Sequence, residues 1–369
     1  MKRIACFFAI LLLFASLLTV PACAAEADAY FSDFFAALPD SLREAVEGNT
    51  DPDAAGKLLG IESLLSLFFS TVGNGITDSL PSLLRFLAVT LVLALLSHLA
   101  ADLPASSAAV AEGGIIALLA FFIFRFAEAD VTRATACLTD LSNISGGLIP
   151  VFFGLFAAGG STATATASAA GFTGLTYLIE GVCVTVLLPL LRILFAFTAI
   201  RAIGGKLKTD GLFSTLRSAF VTLLSFLSLL LVTSLAFQSS LAASADSVAA
   251  GAVRFTVGQL VPVVGSGLAG SLRTVAASLS LIKSTLGALS VFALLLLLLP
   301  PLVELLLHRL VLSLSASLAD MLGVPRAKET FLSFRTVYDL AAATLALCLV
   351  LFILIIALLL RCGFAIAPA

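Results

Sequence analysis

Two stretches of this chain are apolar enough to enter a bilayer but badly formed for crossing one as a clean helix. The first is Leu148-Ile149-Pro150-Val151, which runs on through Gly154 to Gly159-Gly160-Ser161. The second is Leu260-Val261-Pro262-Val263, followed by Gly265, Gly267 and Gly270-Ser271. Each leads into a Thr/Ala/Ser-rich tail, 162–170 and 274–280. Proline removes a helical N–H, and backbone left unpaired at membrane depth is tolerated only inside protein or along a cavity. Recurrence of such a segment in two halves of a membrane chain points to a functional centre. Pro150, Gly154, Gly159, Gly160, Pro262, Gly265, Gly267 and Gly270 are therefore candidate conduit or packing residues.

The rest of the chain fixes the class. Of its 369 residues 60% are hydrophobic and 11% charged, against roughly 45–50% and about 25% in soluble domains. The expectation is an all-α, polytopic membrane protein. A net charge of −2 gives no basic face for nucleic acid. Lys2 and Arg3, the apolar run Ile4 to Val20, and Ala22-Cys23-Ala24 after Pro21 read as a signal peptide over residues 1–24, with an uncleaved anchor as the alternative. Six cysteines without a Cys-x-x-Cys, and only two histidines, give no metal or redox framework. Phosphate-loop, zinc-protease and nucleophile-elbow motifs are lacking. No catalytic, cofactor-binding or metal-binding residue is expected, and the chain reads as a non-enzyme without cofactor.

Residues 25–79 carry ten Asp/Glu against Arg43 and Lys57 and read as extracytoplasmic amphipathic helices. Six runs are long enough to cross a bilayer, which takes about 20 residues: Leu83 to Leu99, Val110 to Phe126, Leu175 to Ile200, Ala219 to Phe237, Leu286 to Leu307 and Leu340 to Leu360. Loops 201–217 and 308–335 hold the Lys/Arg clusters and belong in the cytoplasm. Loop 127–145 is mostly acidic and belongs outside. The count of crossings satisfies these loops if the Pro150 and Pro262 segments dip in and return as re-entrant hairpins. The organisation is then 80–109 for the first span and short loop, 110–217 and 218–335 for two repeat units, and 336–369 for the last span and tail. Units of two spans give a parallel repeat; full crossing by the proline segments makes it inverted.

Ionisable residues inside spans default to functional candidates. Glu180 and Arg192 share one span, Glu304 lies in another, and Lys283 just precedes it. Pairing of a glutamate with Arg192 or Lys283 to hold helices together is the structural alternative. Pro189 is expected to kink its span and Pro300-Pro301 to break the next. His308 is expected at the cytoplasmic interface.

The stretch Phe255-Thr256-Val257-Gly258-Gln259-Leu260-Val261-Pro262-Val263-Val264-Gly265, continuing to Ser280-Leu281-Ile282-Lys283-Ser284-Thr285-Leu286-Gly287, resembles the stage III sporulation protein AE family of endospore-forming bacteria. Leu148-Ile149-Pro150 with 161–170 carries a second resemblance, and the layout agrees from the signal peptide to the last span. The resemblance implies a place in the mother-cell membrane around the engulfed forespore. It implies a subunit of a secretion-like channel complex linking the two cells. Its partners would be a secretion-type ATPase, small membrane subunits and ring-forming proteins, with oligomerisation among the expectations. A stand-alone secondary transporter of a small molecule is the alternative.

Overall fold

The computed structural model describes residues 61–101, 104–158, 181–203, 211–229 and 265–361, with scattered positions between them. Every regular element among these is helical. The elements are α1 (Ile61–Ala101), α2 (Ala105–Ala158), a π-helical turn (Cys183–Leu187) leading into α3 (Leu188–Ile203), α4 (Gly211–Leu229), α5 (Gly265–Met321) and α6 (Pro325–Arg361). Among the described residues, six segments are long and apolar enough to cross a membrane. The signal peptide, Gly159, Gly160, Glu180 and Pro262 lie outside the described residues.

Helix length is the first finding. At 1.5 Å per residue α2 is about 81 Å long and α5 about 85 Å, while a hydrocarbon core is about 30 Å thick. Two sequence expectations change as a result. Residues 127–145, read as an outward loop, are helical, and Pro150 sits inside α2 rather than opening a broken re-entrant segment. Ala127, Val131, Ala134, Leu138, Leu141, Ile144 and Leu148 are all buried. That 3–4 spacing keeps one stripe of the helix against its neighbours through the charged stretch. The divisions expected at 79/80, 109/110, 217/218 and 335/336 likewise fall inside helices.

Proline does not end these helices. Pro300 and Pro301 lie within α5 instead of breaking it. The carbonyl of Leu297, whose helical donor would be the missing N–H of Pro301, accepts instead from Cys137 Sγ at 3.4 Å. Ahead of Pro189 the helix widens. The Leu188 N–H reaches back to the Cys183 carbonyl, five residues away, in a π-turn that makes room for the ring.

The turn between α5 and α6 is built by Leu322-Gly323-Val324-Pro325. Gly323 has φ +73°, a left-handed conformation that only glycine adopts freely. Its N–H bonds the Asp320 carbonyl at 3.1 Å, and the Val324 N–H bonds Ala319 at 2.9 Å. This pair of bonds closes a helix C-terminus, and Pro325 opens the next helix at the position where its missing N–H matters least.

Rungs between helices set their directions. At the turn end, Arg326 pairs with Glu112 at 3.2 Å and His98 Nε2 lies 3.2 Å from the Leu322 carbonyl. Further along, Phe86 packs on Phe122 and Phe126, and Gly75 faces Val303 and Leu307. Cys183 and Cys348 bring their Sγ atoms to 3.6 Å, while Phe195 meets Phe334 and Tyr338. Hence α1 and α5 run towards the turn end, α2 and α6 run away from it, and α3 returns. Arg201, at the end of α3, stacks over Phe213 of α4. Arg201 and Arg326 thus lie towards this end of the bundle, while Lys206 and Lys208 lie outside the described residues.

The exposed apolar side chains of α1 and α2 concentrate in the half nearer that end: Leu84, Leu91, Leu95, Leu99, Leu118 and Phe121. More follow in the other half of α1, at Phe69, Ile76 and Leu80. The most apolar candidate span among the described residues, Ser280–Met321, faces protein instead. Along it Leu286, Leu289, Ala293, Leu294 and Leu298 are almost fully enclosed.

Candidate functional site

Part-way along the bundle, α2, α5 and α6 place charged and polar side chains against one another. Asp130 and Arg133 lie one turn apart on α2. Glu304 and His308, four residues apart on α5, share a face, and α6 contributes Tyr338. Asp130 Oδ2 accepts from Tyr338 Oη at 2.7 Å and pairs with His308 Nδ1 at 2.8 Å. With a carboxylate as partner, Nδ1 is the donor. All three side chains are buried. The Tyr338 ring meets His308 and Phe195 edge-on, so α3 closes the cluster from a fourth side.

Arg133 joins the cluster to open space. Its guanidinium pairs with Glu304 and stands 3.8 Å from Asp130 Oδ1. The side chain is 59% exposed, against 32% for Glu304 and 4% for Asp130. Beside it is a cavity of about 910 Å³, lined by Asn74 and Asp78 of α1, Arg133 and Asp140 of α2, and Pro300 and Glu304 of α5, among others. A buried carboxylate held in an apolar bundle is stable only with its lone pairs satisfied. Asp130 meets that condition through three partners from three helices. The arrangement can hold a proton, a cation or a charged ligand group at a fixed place, with the cavity as its approach.

A model of stage III sporulation protein AE matches residues 54–363. The chain belongs to the stage III sporulation protein AE family. It is a stage III sporulation protein and a multi-pass membrane protein. Comparisons with curated proteins and with solved structures give no match.

Of the candidate conduit or packing residues that lie among the described residues, Glu304 alone reaches the cluster. Its partner is Arg133, not Lys283. Lys283 is buried elsewhere on α5, and Arg192 is exposed on α3. Pro150 is exposed and Gly154 half-buried on the far part of α2. Gly265, Gly267 and Gly270 lie in the first turns of α5. His308, expected at the cytoplasmic interface, is buried against Asp130, because the apolar run continues past it into the same helix. Sequence reasoning missed Asp130, Arg133 and Tyr338 as site residues. The available signal was the unbroken helical stripe through Asp130, which makes an outward loop untenable.

Proposed function

We propose that this protein is an integral membrane subunit of a sporulation-specific, secretion-like channel complex between mother cell and forespore. It sits in the mother-cell membrane around the forespore and works without catalysing a reaction. Its partners are a secretion-type ATPase, small membrane subunits and ring-forming proteins. The observation that carries this reading is family membership over 54–363. Helices much longer than the bilayer is thick support it, because they extend α-helical surface beyond the lipid for neighbours to grip. Deleting the gene in a sporulating host should stop late forespore gene expression, and the wild-type gene should restore it. Normal spores from the deletion strain would overturn the proposal.

A second reading, a stand-alone secondary transporter, is favoured by one observation: the cavity that opens on Arg133 and Glu304. Glu304→Gln separates the two. A transporter keeps its membrane partners unchanged and loses transport by the purified chain in vesicles. A complex subunit is recovered together with other sporulation proteins and shows no transport alone.

A further inference from the structure

Three potential metal ligands converge at the cavity. The donor atoms of Asp130, Glu304 and His308 all lie within 4.8 Å of one another. Asp130 Oδ2 and His308 Nδ1 are already 2.8 Å apart, and Nδ1 becomes a ligand when the proton it donates to Asp130 is released to solvent and the neutral ring keeps its proton on Nε2. Two ligands on one tetrahedral ion with bonds of about 2.0 Å stand roughly 3.3 Å apart, so this pair needs little adjustment, and Glu304 is the ligand that has to move. It has the freedom to do so, being half-buried at the cavity edge. Spacing by four on α5 projects Glu304 and His308 from successive turns of one face, and Asp130 approaches from the facing helix.

A positive charge already occupies this position. The Arg133 guanidinium touches Glu304 and stands 3.8 Å from Asp130. It is the most exposed member of the cluster and borders the cavity, so it is able to withdraw into it. We infer that Asp130, Glu304 and His308 form a site for a borderline divalent transition-metal ion, Zn²⁺ foremost, which binds in exchange for Arg133. One imidazole and two carboxylates suit zinc, cobalt or manganese, and are poorly matched to Ca²⁺ or Mg²⁺. The three protein ligands leave a coordination position open towards the cavity for water. Tyr338, bonded to Asp130 Oδ2 and fully enclosed, acts as a positioning residue for that carboxylate. The inference does not depend on the sporulation reading, because it concerns binding by the isolated chain.

The test uses the full chain purified in lipid nanodiscs, stripped with chelator and titrated with ZnCl₂ and, for its visible absorption, CoCl₂. One Zn²⁺ per chain is expected to survive gel filtration. His308→Gln and Glu304→Gln should each weaken binding by at least tenfold, and Tyr338→Phe by about tenfold. Arg133→Gln should tighten it, because the competing cation is gone; a purely structural ion pair predicts no such gain. Helicity and elution volume, recorded for each variant, identify any that fails to fold. The wild-type and Arg133→Gln chains alone then decide the matter: if both are folded and neither retains zinc, the site does not exist. Retention by a folded His308→Gln chain at wild-type affinity also overturns it, because the metal would then be bound elsewhere.

Discussion

The α5–α6 hairpin and the α1–α2 pair are equally apolar to the eye, yet they occupy opposite places. In the most span-like windows, 78% of α5 and 67% of α6 are buried, against 28% of α1 and 33% of α2. The hairpin is the core of the described residues, and the outer pair leaves many apolar side chains exposed. Hydropathy measures how well a helix avoids water. It does not distinguish lipid from protein as the alternative. Buried polar residues do not mark the inner helices, since both pairs hold them: Ser290, His308, Ser315, Thr330 and Tyr338 in the hairpin, and Ser79, Thr90, Asp130 and Ser145 in the outer pair.

That contrast is easiest to break with aromatic truncation. Phe334→Ala in the hairpin should destabilise the protein by about 3–5 kcal/mol, since the ring is fully enclosed and stacks on Phe195. Phe121→Ala on α2, 64% exposed, should change stability by less than about 0.5 kcal/mol. Equilibrium unfolding in mixed micelles reads both, and equal effects would erase the distinction between core and outer pair. Asp130→Ala comes next, at about 3 kcal/mol, because the buried His308 and Tyr338 lose their shared acceptor. Combined with Tyr338→Phe it should be clearly non-additive; simple addition in that double-mutant cycle would mean the contact carries no energy.

The seam between the two regions gives a third test. A Cβ on Gly75 would come within 2.9 Å of Leu307 Cδ1 and 3.1 Å of Val303 Cγ1. Gly75→Leu should therefore cost about 2 kcal/mol by pushing α1 off α5, seen as a lower melting temperature; an unchanged melt would show that α1 does not pack there. Gly323→Ala meets no atom within 4 Å, so only its φ opposes it, at about 1 kcal/mol. Among the contacts broken, the smallest effect belongs to Arg326→Gln, at less than about 1 kcal/mol, and the difference should shrink further in high salt. Both partners of that pair are partly exposed, and an effect above about 2 kcal/mol would place them in a drier setting than the structure gives.

Much of the helical layout was legible. The runs over 83–99, 110–126, 286–307 and 340–360 all lie within helices. Charge misled the reading between them. Glu128, Asp130 and Arg133 depress any hydropathy average, so 127–145 looked like a loop, although Ala127, Val131, Ala134 and Leu138 keep helical spacing through it. Proline misled it in the same way. Pro300-Pro301 reads as a stop signal until Cys137 is seen answering the Leu297 carbonyl from another helix. Leu322-Gly323-Val324-Pro325 carried a local turn signal that was there to be used. The stripe could place Asp130 on a helix, but which residues it meets was not readable, because His308 and Tyr338 stand 178 and 208 residues away. No local pattern encodes which faces of distant helices meet.

The unbroken course of α2 has a mechanical side. A rod about 81 Å long, fixed near Glu112 and tilted by about 10°, carries its other end, about 69 Å from that point, through roughly 12 Å. Asp130 lies a third to halfway along that rod and would travel only about 5 Å. Small shear at the polar cluster and large sweep at the far end are thus two readings of one lever, geared by helix length alone.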